Sequence, residues 1–276
     1  MRAGDPIPRL DHSVDAESLW PSSLEQESDH AAHILRSFFC DGFVVPYRTL
    51  GVCDQQVRAG RQVLESSDIF TQLIRNCHGL AVFRLLRHGL CSTVADGSGV
   101  LVTQSPDKKW SGTSAILIDS KSTFPRGIDV LDVMLIINDK HSMDILLDPI
   151  VALQKCLHVN PGPIPQSGGF SHSSVQALDF KGSIWSYAKS KGELAQIDLS
   201  CLVIREYTKE NERFYGVEGV TGKEILLGHA KAPSGTTDHL ARTVHALVKQ
   251  NIDLSWLPRG RKCPGDYRVR SPPATN

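Results

Sequence analysis

Alternating apolar and polar positions in the second half of the chain predict two β-strands joined by a turn. Over residues 197–203, apolar side chains alternate with polar ones, which is the period of a strand with one buried face. The run before it, 184–187, is rich in β-branched and aromatic residues, which favour strands. Between them, Ser-Lys-Gly at 190–192 suits a turn, because glycine readily adopts positive φ. We therefore predict a hairpin over 181–206.

Apolar residues at helical spacing predict several amphipathic helices. The first is expected to begin at Ser28 as its N-cap and to place Ile34 and Leu35 on its apolar face. A second is predicted from Ser67, and Asp238 is the expected N-cap of the last one. Shorter helices are predicted at 142–147, 211–215 and 221–227.

Composition and charge narrow the classes of function. With 41% hydrophobic and 22% charged residues, the chain is typical of a soluble globular protein. Its formal net charge is zero, which does not indicate nucleic-acid binding. Acidic residues and prolines without periodicity predict a flexible leader over 1–24, and a basic, disordered tail is predicted over 258–276.

Cysteine spacing and hydropathy exclude further classes. The seven cysteines are scattered without a C-x-x-C pair, so a zinc site or thioredoxin-like chemistry has little support. The N-terminus does not look like a signal peptide, which favours a reducing intracellular setting. No apolar run approaches the ~20 residues that span a bilayer, so we expect no transmembrane segment.

A short aromatic and basic run carries a family resemblance. Residues 185–192, Trp-Ser-Tyr-Ala-Lys-Ser-Lys-Gly, resemble the signature of the SYLF family, which comprises lipid-binding domains also found in actin-patch and endosomal proteins. Collinear stretches agree with the same family: the strand entry at 77–83, the Gly-Ser-Gly turn at 97–99, Trp-Ser at 110–111 and a strand at 129–138. The resemblance covers roughly residues 28–251.

The chain departs from the family pattern in several places. Residues 41–66 have no clear counterpart and are predicted to be an insertion within a domain spanning 25–254. The glycine-rich strands of the family are replaced by other residues at 116–121 and 151–155. Because strand glycines permit tight bends and close backbone approach, their loss suggests altered curvature. The chain is therefore identified as a divergent member.

Together, the patterns and the resemblance predict one α+β domain. We expect a strongly twisted, mostly antiparallel sheet or partial barrel that is flanked by short helices.

The sequence contains no complete local catalytic motif. Residues 219–224, Gly-Val-Thr-Gly-Lys-Glu, approach a P-loop, but Glu224 stands where Ser or Thr should hold magnesium. No G-x-S-x-G elbow occurs. The eleven histidines could still meet serine and aspartate in space, which leaves an enzyme of unknown type as an alternative. We expect no catalysis, cofactor or metal ligands.

Cations close to apolar residues are the candidate lipid-binding groups. Headgroup phosphates favour clustered Lys and Arg near side chains that enter the interface. Lys189 and Lys191 sit two residues apart in the predicted hairpin, which places both on one strand face. Arg84 and Arg87 are the candidates in the earlier strand. The resemblance adds His33 and Arg36, because the opening helix is credited with phosphoinositide binding in some family members.

Each of these assignments has a structural alternative. The two lysines could be solubilising charges at a strand end, and the opening helix could simply pack its apolar face on the domain. The helix also carries fewer Lys and Arg residues than a membrane-surface helix normally shows. The same cations could instead face acidic actin.

The resemblance implies a non-catalytic peripheral module that binds anionic phospholipid, with phosphoinositide as one candidate, in membrane traffic, endocytosis or cortical actin organisation. The alternatives are an actin-filament-binding scaffold and a degenerate domain without a ligand. The expected location is cytoplasmic, peripheral at the endosomal or plasma membrane.

Overall fold

The structure, a computed structural model, describes residues 23–41, 67–89, 93–122, 127–162, 183–190, 199–233 and 239–248. The predicted leader (1–24), insertion (41–66) and tail (258–276) lie outside these residues, apart from positions 23, 24 and 41. These three segments stay predictions.

In the described part of the chain, eight strands form one sheet that curls into a half-barrel. Its order is β5-β8-β3-β2-β1-β4-β7-β6, and every pair is antiparallel except the parallel pair β6–β7. The predicted α+β class with a mostly antiparallel partial barrel is confirmed. In chain order the strands are β1 (Gly79–Gly89), β2 (Thr93–Thr103), β3 (Ser114–Ser122), β4 (Gly127–Ile137), β5 (Ile150–Ala152), β6 (Val159–Pro161), β7 (Ile184–Ser190) and β8 (Val203–Glu206).

Short helices cover both faces of the sheet. The first helix starts one turn earlier than predicted: the Ser23 hydroxyl accepts a hydrogen bond from the Gln26 amide, and Ser28 is buried inside the helix. The reason is that Leu24, which is fully buried, extends the apolar face backwards. The described helices are α1 (Leu24–Arg36), which continues as a π-helical turn (Ser37–Asp41), α2 (Ser67–Asn76), α3 (Lys140–Leu146), α4 (Leu153–Cys156), α5 (Thr208–Tyr215), α6 (Gly222–Leu226) and α7 (His239–Val248).

The predicted hairpin over 181–206 is wrong. β7 pairs with β4 and β6, whereas β8 pairs with β3 and β5, so four strands separate the two in the sheet. The second strand also starts later than predicted, because residues Leu199–Cys201 form a short 3-10 turn. Alternation identifies a half-buried strand, but it carries no information about which neighbour the strand will join.

The Gly-Ser-Gly stretch lies within β2 rather than in a turn, which corrects the prediction for 97–99. A Cβ atom at Gly99 would lie 2.3 Å from the Val82 carbonyl oxygen of β1. At Gly97 it would lie 2.0 Å from the Arg84 carbonyl oxygen. Glycine is therefore required here because the curled backbones of β1 and β2 approach too closely for any side chain.

The sheet has an apolar layer on each face. On one face α1, α2 and α7 pack on side chains such as Val82, Val100 and Met134. On the other face α3 and α4 pack on Phe83 and Leu135. The apolar side of α1 is thus buried in the domain, as the structural alternative for this helix proposed.

A buried asparagine fastens α5 to β3. The Asn211 Oδ1 atom accepts from the Ala115 amide at 2.8 Å, and its Nδ2 atom donates to Ser114 Oγ at 3.2 Å.

Asn211→Ala would leave the buried Ala115 amide without this acceptor, so we expect a loss of about 2 kcal/mol in the free energy of unfolding, measured with urea. Lys209→Ala, at an exposed position of the same helix, is the control and should change it by less than about 0.5 kcal/mol. Equal losses would contradict this reading.

Candidate functional site

Four polar side chains cross the sheet beneath α1. Ser98 of β2, Arg84 of β1, Asp132 of β4 and Lys189 of β7 are successive partners in the strand register. Directly opposed residues of neighbouring strands project to the same face of a sheet. These four side chains, which we call the polar row, therefore lie together on the face that α1 covers.

The centre of the polar row is a bidentate ion pair. Arg84 donates from Nε to Asp132 Oδ1 at 2.7 Å and from Nη2 to Oδ2 at 3.1 Å. The Asp132 side chain is 1% exposed and that of Arg84 is 19% exposed. Charge-assisted bidentate bonds are among the strongest hydrogen bonds in proteins, and they matter most where water is excluded. The pair is thus a buried structural element of the sheet.

Both outer members of the polar row bind α1 or its continuation. The Ser98 hydroxyl donates to Glu27 Oε1 at 2.7 Å, near the start of the helix. The Lys189 ammonium donates to the carbonyl oxygen of Ser37 at 3.0 Å and to the Ser37 hydroxyl. The same nitrogen lies 5.3 Å from the centre of the Phe38 ring, within the range of cation–π attraction. The polar row thereby fixes both ends of the helix.

The structure brings two of the predicted lipid-binding residues together, but it turns them inwards. Arg84 and Lys189 belong to the polar row under α1, and Lys189 is only 5% exposed. The interpretation of Lys189 as a solvated charge at a strand end is therefore wrong. Arg87 is paired with Ala95 and Asp129 in the strand register, but its side chain lies outside the described part. Lys191 also lies outside it, so the shared face with Lys189 stays a prediction.

The other two predicted residues lie on the outer side of α1. His33 is half-buried and Arg36 is exposed. Helix α7 runs alongside, because His239 Nδ1 lies 2.5 Å from Asp29 Oδ1 of α1. We use the name α1–α7 face for a set of exposed and half-exposed polar residues on these two adjacent helices, namely Asp29, His33 and Arg36 of α1 and His239, Arg242 and His245 of α7.

Burial lowers the pKa values of two histidines of α1, His30 and His33. Burial is the largest cause that lowers the pKa of His33, and the positive charge of Arg36 lowers it further. Burial likewise lowers the pKa of His30, with a further contribution from Arg84. The carboxylates of Asp29 and, for His30, Asp132 act in the opposite direction. The two imidazoles therefore need more acid than an ordinary histidine before they become cations.

Sequence reasoning missed Asp132 and the contribution of α7. The sequence does contain a signal for Asp132. This acid interrupts a series of apolar residues on one face of β4, namely Val130, Met134 and Ile136, which are all buried. An acid at such a position needs a partner, and the structure shows that this partner is Arg84. The position of α7 beside α1 had no comparable signal, because it follows from packing across 200 residues of sequence.

The stretch at 219–224 that resembles a P-loop contains the start of a helix in the structure, and its Thr221 and Glu224 have a structural role there. The Thr221 hydroxyl accepts from the Glu224 amide, and the Glu224 carboxylate accepts from the Thr221 amide, which is a capping box at the start of α6.

Burial raises the pKa of the Cys77 thiol to about 12, which makes it a poor nucleophile. Within the described ranges no three His, Cys, Asp or Glu side chains are grouped to hold a metal ion. No helix there is both long and apolar enough to cross a bilayer.

Comparison with known proteins identifies similar chains. Residues 121–247 match the family model described as "Ysc84: Las17-binding protein actin regulator". Protein YSC84 of Saccharomyces cerevisiae is 28% identical over 215 residues, 77% of this chain and 42% of that protein. SH3 domain-containing YSC84-like protein 1 of Homo sapiens is 30% identical over 222 residues, 79% of this chain and 58% of that protein. The chain thus spans about half the length of the curated relatives it matches. No solved structure matches.

Proposed function

The chain is a divergent member of the SYLF family, and from this premise we propose that it is a non-catalytic module that binds anionic phospholipid membranes through its α1–α7 face. Such a module would act in the cytoplasm, at the endosomal or plasma membrane, in membrane traffic or endocytosis. Phosphoinositides are the lipids with the highest headgroup charge that this face could meet.

The observation that carries the proposal is the joint exposure of basic residues on two adjacent helices. Arg36 of α1 and Arg242 of α7 are both exposed, and the Asp29–His239 contact joins the two helices that carry them. A basic residue close to an anionic bilayer contributes about 1 kcal/mol of attraction. Several basic residues on one face of the domain would both attract it to the bilayer and orient that face towards the headgroups.

Membrane contact through this face is electrostatic rather than insertional. Leu35 and Phe38, which an inserting helix would place among the acyl chains, are fully buried against the sheet. Lys189 binds Ser37 at the end of α1 from below, and Arg84 pairs with Asp132 in the polar row beneath the helix, so neither forms part of this face. The proposal therefore assigns headgroup contact to Arg36 and His33 among the predicted residues and adds Arg242.

Reversing both arginine charges should abolish most of the binding. For Arg36→Glu/Arg242→Glu we expect at least about a tenfold weaker association with anionic vesicles, because two attractive charges become repulsive. The measurement is co-sedimentation with phosphatidylserine vesicles and with a phosphoinositide series. Wild-type binding should also weaken as salt is raised, since salt screens exposed charges.

A matched variant controls for net charge. Lys140→Glu/Lys155→Glu changes the charge equally, but both residues are exposed on α3 and α4, which cover the opposite face of the sheet. This variant should bind vesicles like the wild type. If both double variants lose binding equally, net charge alone explains the effect and the assignment to the α1–α7 face fails. If wild type stays in the supernatant with every lipid, the proposal itself fails.

A second candidate function is contact with the actin machinery. It is favoured by the family description, which names Las17 binding and actin regulation, and by relatives such as LAS seventeen-binding protein 3 of Saccharomyces cerevisiae, 28% identical over 77% of this chain. Co-sedimentation with actin filaments in the absence of lipid tests it. Filament binding without vesicle binding would favour this candidate over the membrane module, and binding to neither would favour a degenerate domain without a ligand.

A further inference from the structure

Three histidines share the α1–α7 face with the two arginines. His33 lies between Asp29 and Arg36 on successive turns of α1, and His239 binds Asp29 from α7. Arg242 and His245 follow His239 at intervals of three residues, which places them on neighbouring turns of the exposed side of α7. Imidazoles thus alternate with guanidinium groups across two packed helices.

We propose that the α1–α7 face is a proton-sensitive docking surface, which binds anionic phospholipid bilayers more tightly as the pH falls because its histidines join Arg36 and Arg242 as cations. The inference rests on the proposed function and adds its regulation. Histidine is the side chain that ordinarily changes charge in this range of pH.

The charges around these imidazoles determine how the face responds. Asp29, His30 and Arg36 of α1 and His239 of α7 all act on His33. Beneath the helix, Glu27 of α1, Arg84 of β1 and Asp132 of β4 act on His30, and Lys189 of β7 binds Ser37. The sheet side holds two acids and two bases whose charges oppose each other. The outer side of α1 holds the carboxylates of Asp29, which binds His239, and of Glu25, which pairs with Arg213. Each proton that an imidazole gains beside them adds to the attraction.

An anionic bilayer favours the protonated form of these histidines. Burial and adjacent cations lower the pKa of His33, whereas a negative membrane surface raises the pKa of any imidazole beside it. Protonation and membrane binding are therefore linked: each strengthens the other by the same factor. Binding should increase progressively below neutral pH rather than at one threshold.

The helix itself should stay packed while the surface gains charge. Because the pKa values of His30 and His33 are lowered in the folded chain, the unfolded chain binds more protons below about pH 6.5. Their contribution to stability is complete above that pH and is lost as the pH falls through the folded pKa values. Leu24, Leu35 and Phe38 are buried, and we expect them to stay buried when these histidines are protonated, because their burial contributes more free energy than two protons remove.

Vesicle co-sedimentation at about pH 7.5 and about pH 5.5 tests the inference. The probes are phosphatidylserine-containing vesicles and pure phosphatidylcholine vesicles, and circular dichroism confirms folding at each pH. We expect wild type to bind the anionic vesicles at least about tenfold more tightly at the lower pH, since each added cation near the surface contributes roughly fivefold.

His33→Gln/His245→Gln should lose most of that increase, measured as the ratio of the affinities of this variant at the two pH values. The matched control is His141→Gln/His158→Gln, two exposed histidines associated with the elements on the opposite face of the sheet, and it should retain the full increase. If His33→Gln/His245→Gln also retains it, or if pure phosphatidylcholine vesicles show the same increase, the pH inference is overturned.

The outcomes separate this inference from the proposed function. Wild-type binding that is equal at both pH values overturns the proton-sensitive surface and leaves the membrane module intact. Absence of binding at both values overturns the membrane module, and the inference falls with it. Binding that appears only at the lower pH and is lost in His33→Gln/His245→Gln supports both.

Discussion

Asp132→Ala should lower the free energy of unfolding by about 3–5 kcal/mol, which is among the largest effects we expect for a single residue in this chain. The carboxylate is buried and accepts both hydrogen bonds of the Arg84 guanidinium. Its removal leaves a mostly buried guanidinium without this counter-ion, and water cannot compensate for the loss beneath α1. The corresponding decrease in melting temperature is roughly 6–20 °C for a domain of this size.

Asp119→Ala is the matched control for this prediction. Asp119 accepts from Arg205 Nε at 2.6 Å, a distance close to that of the Arg84–Asp132 pair, and it also joins two neighbouring strands. Its side chain is 37% exposed and that of Arg205 is 43% exposed, so water can replace the lost bonds. We expect a cost of less than about 1 kcal/mol. Similar costs for both variants would show that the burial of the Arg84–Asp132 pair is not what makes it important.

Local signals in the sequence were sufficient for most elements of the fold. The helix near 221 follows from Thr221 and Glu224, which interact within one turn and need no distant partner. Strand β4 was expected at 129–138, where Val133, Leu135 and Ile137 recur at every second position in the stretch that resembles the family, and it is found at Gly127–Ile137. Both elements depend on interactions between residues that are close in sequence, and hydrophobic periodicity and helix capping predict structure over that distance.

The pairing of strands could not be obtained in the same way. The segments that became β7 and β8 are close in sequence and both have strand patterns, which made a hairpin the simplest interpretation. In the structure β7 extends the sheet beyond β4 and β8 extends it beyond β3. Which edge a strand joins depends on burial over the whole sheet, and local alternation is equally compatible with either edge.

The sequence indicated which residue types form the candidate site, but it did not indicate the direction in which their side chains point. Arg84 and Lys189 were selected as cations close to apolar residues, and that description is correct for both. Their direction depends on the strand register with Asp132 and on the helix above them, which binds Lys189 through Ser37. Clustered cations near apolar residues therefore fit a buried polar row as well as a lipid-binding surface.

Lys189→Glu distinguishes these two interpretations. A headgroup site predicts a folded protein that no longer binds vesicles. The structure instead predicts a loss of more than about 3 kcal/mol in the free energy of unfolding, because a buried carboxylate would replace the ammonium opposite Asp132 and would face the Ser37 carbonyl oxygen. Urea denaturation monitored by fluorescence measures this loss.

Lys189→Met supplies the complementary measurement on a folded protein. Methionine keeps most of the aliphatic volume beside Phe38 and removes only the ammonium, so we expect a cost of about 1–2 kcal/mol and vesicle binding like that of the wild type. A stable Lys189→Met variant that fails to bind anionic vesicles would place Lys189 at the lipid contact, and the membrane-binding surface would then have to include the underside of α1. Retained binding leaves Lys189 as the residue that holds α1 in place, with the lipid contact on its outer side.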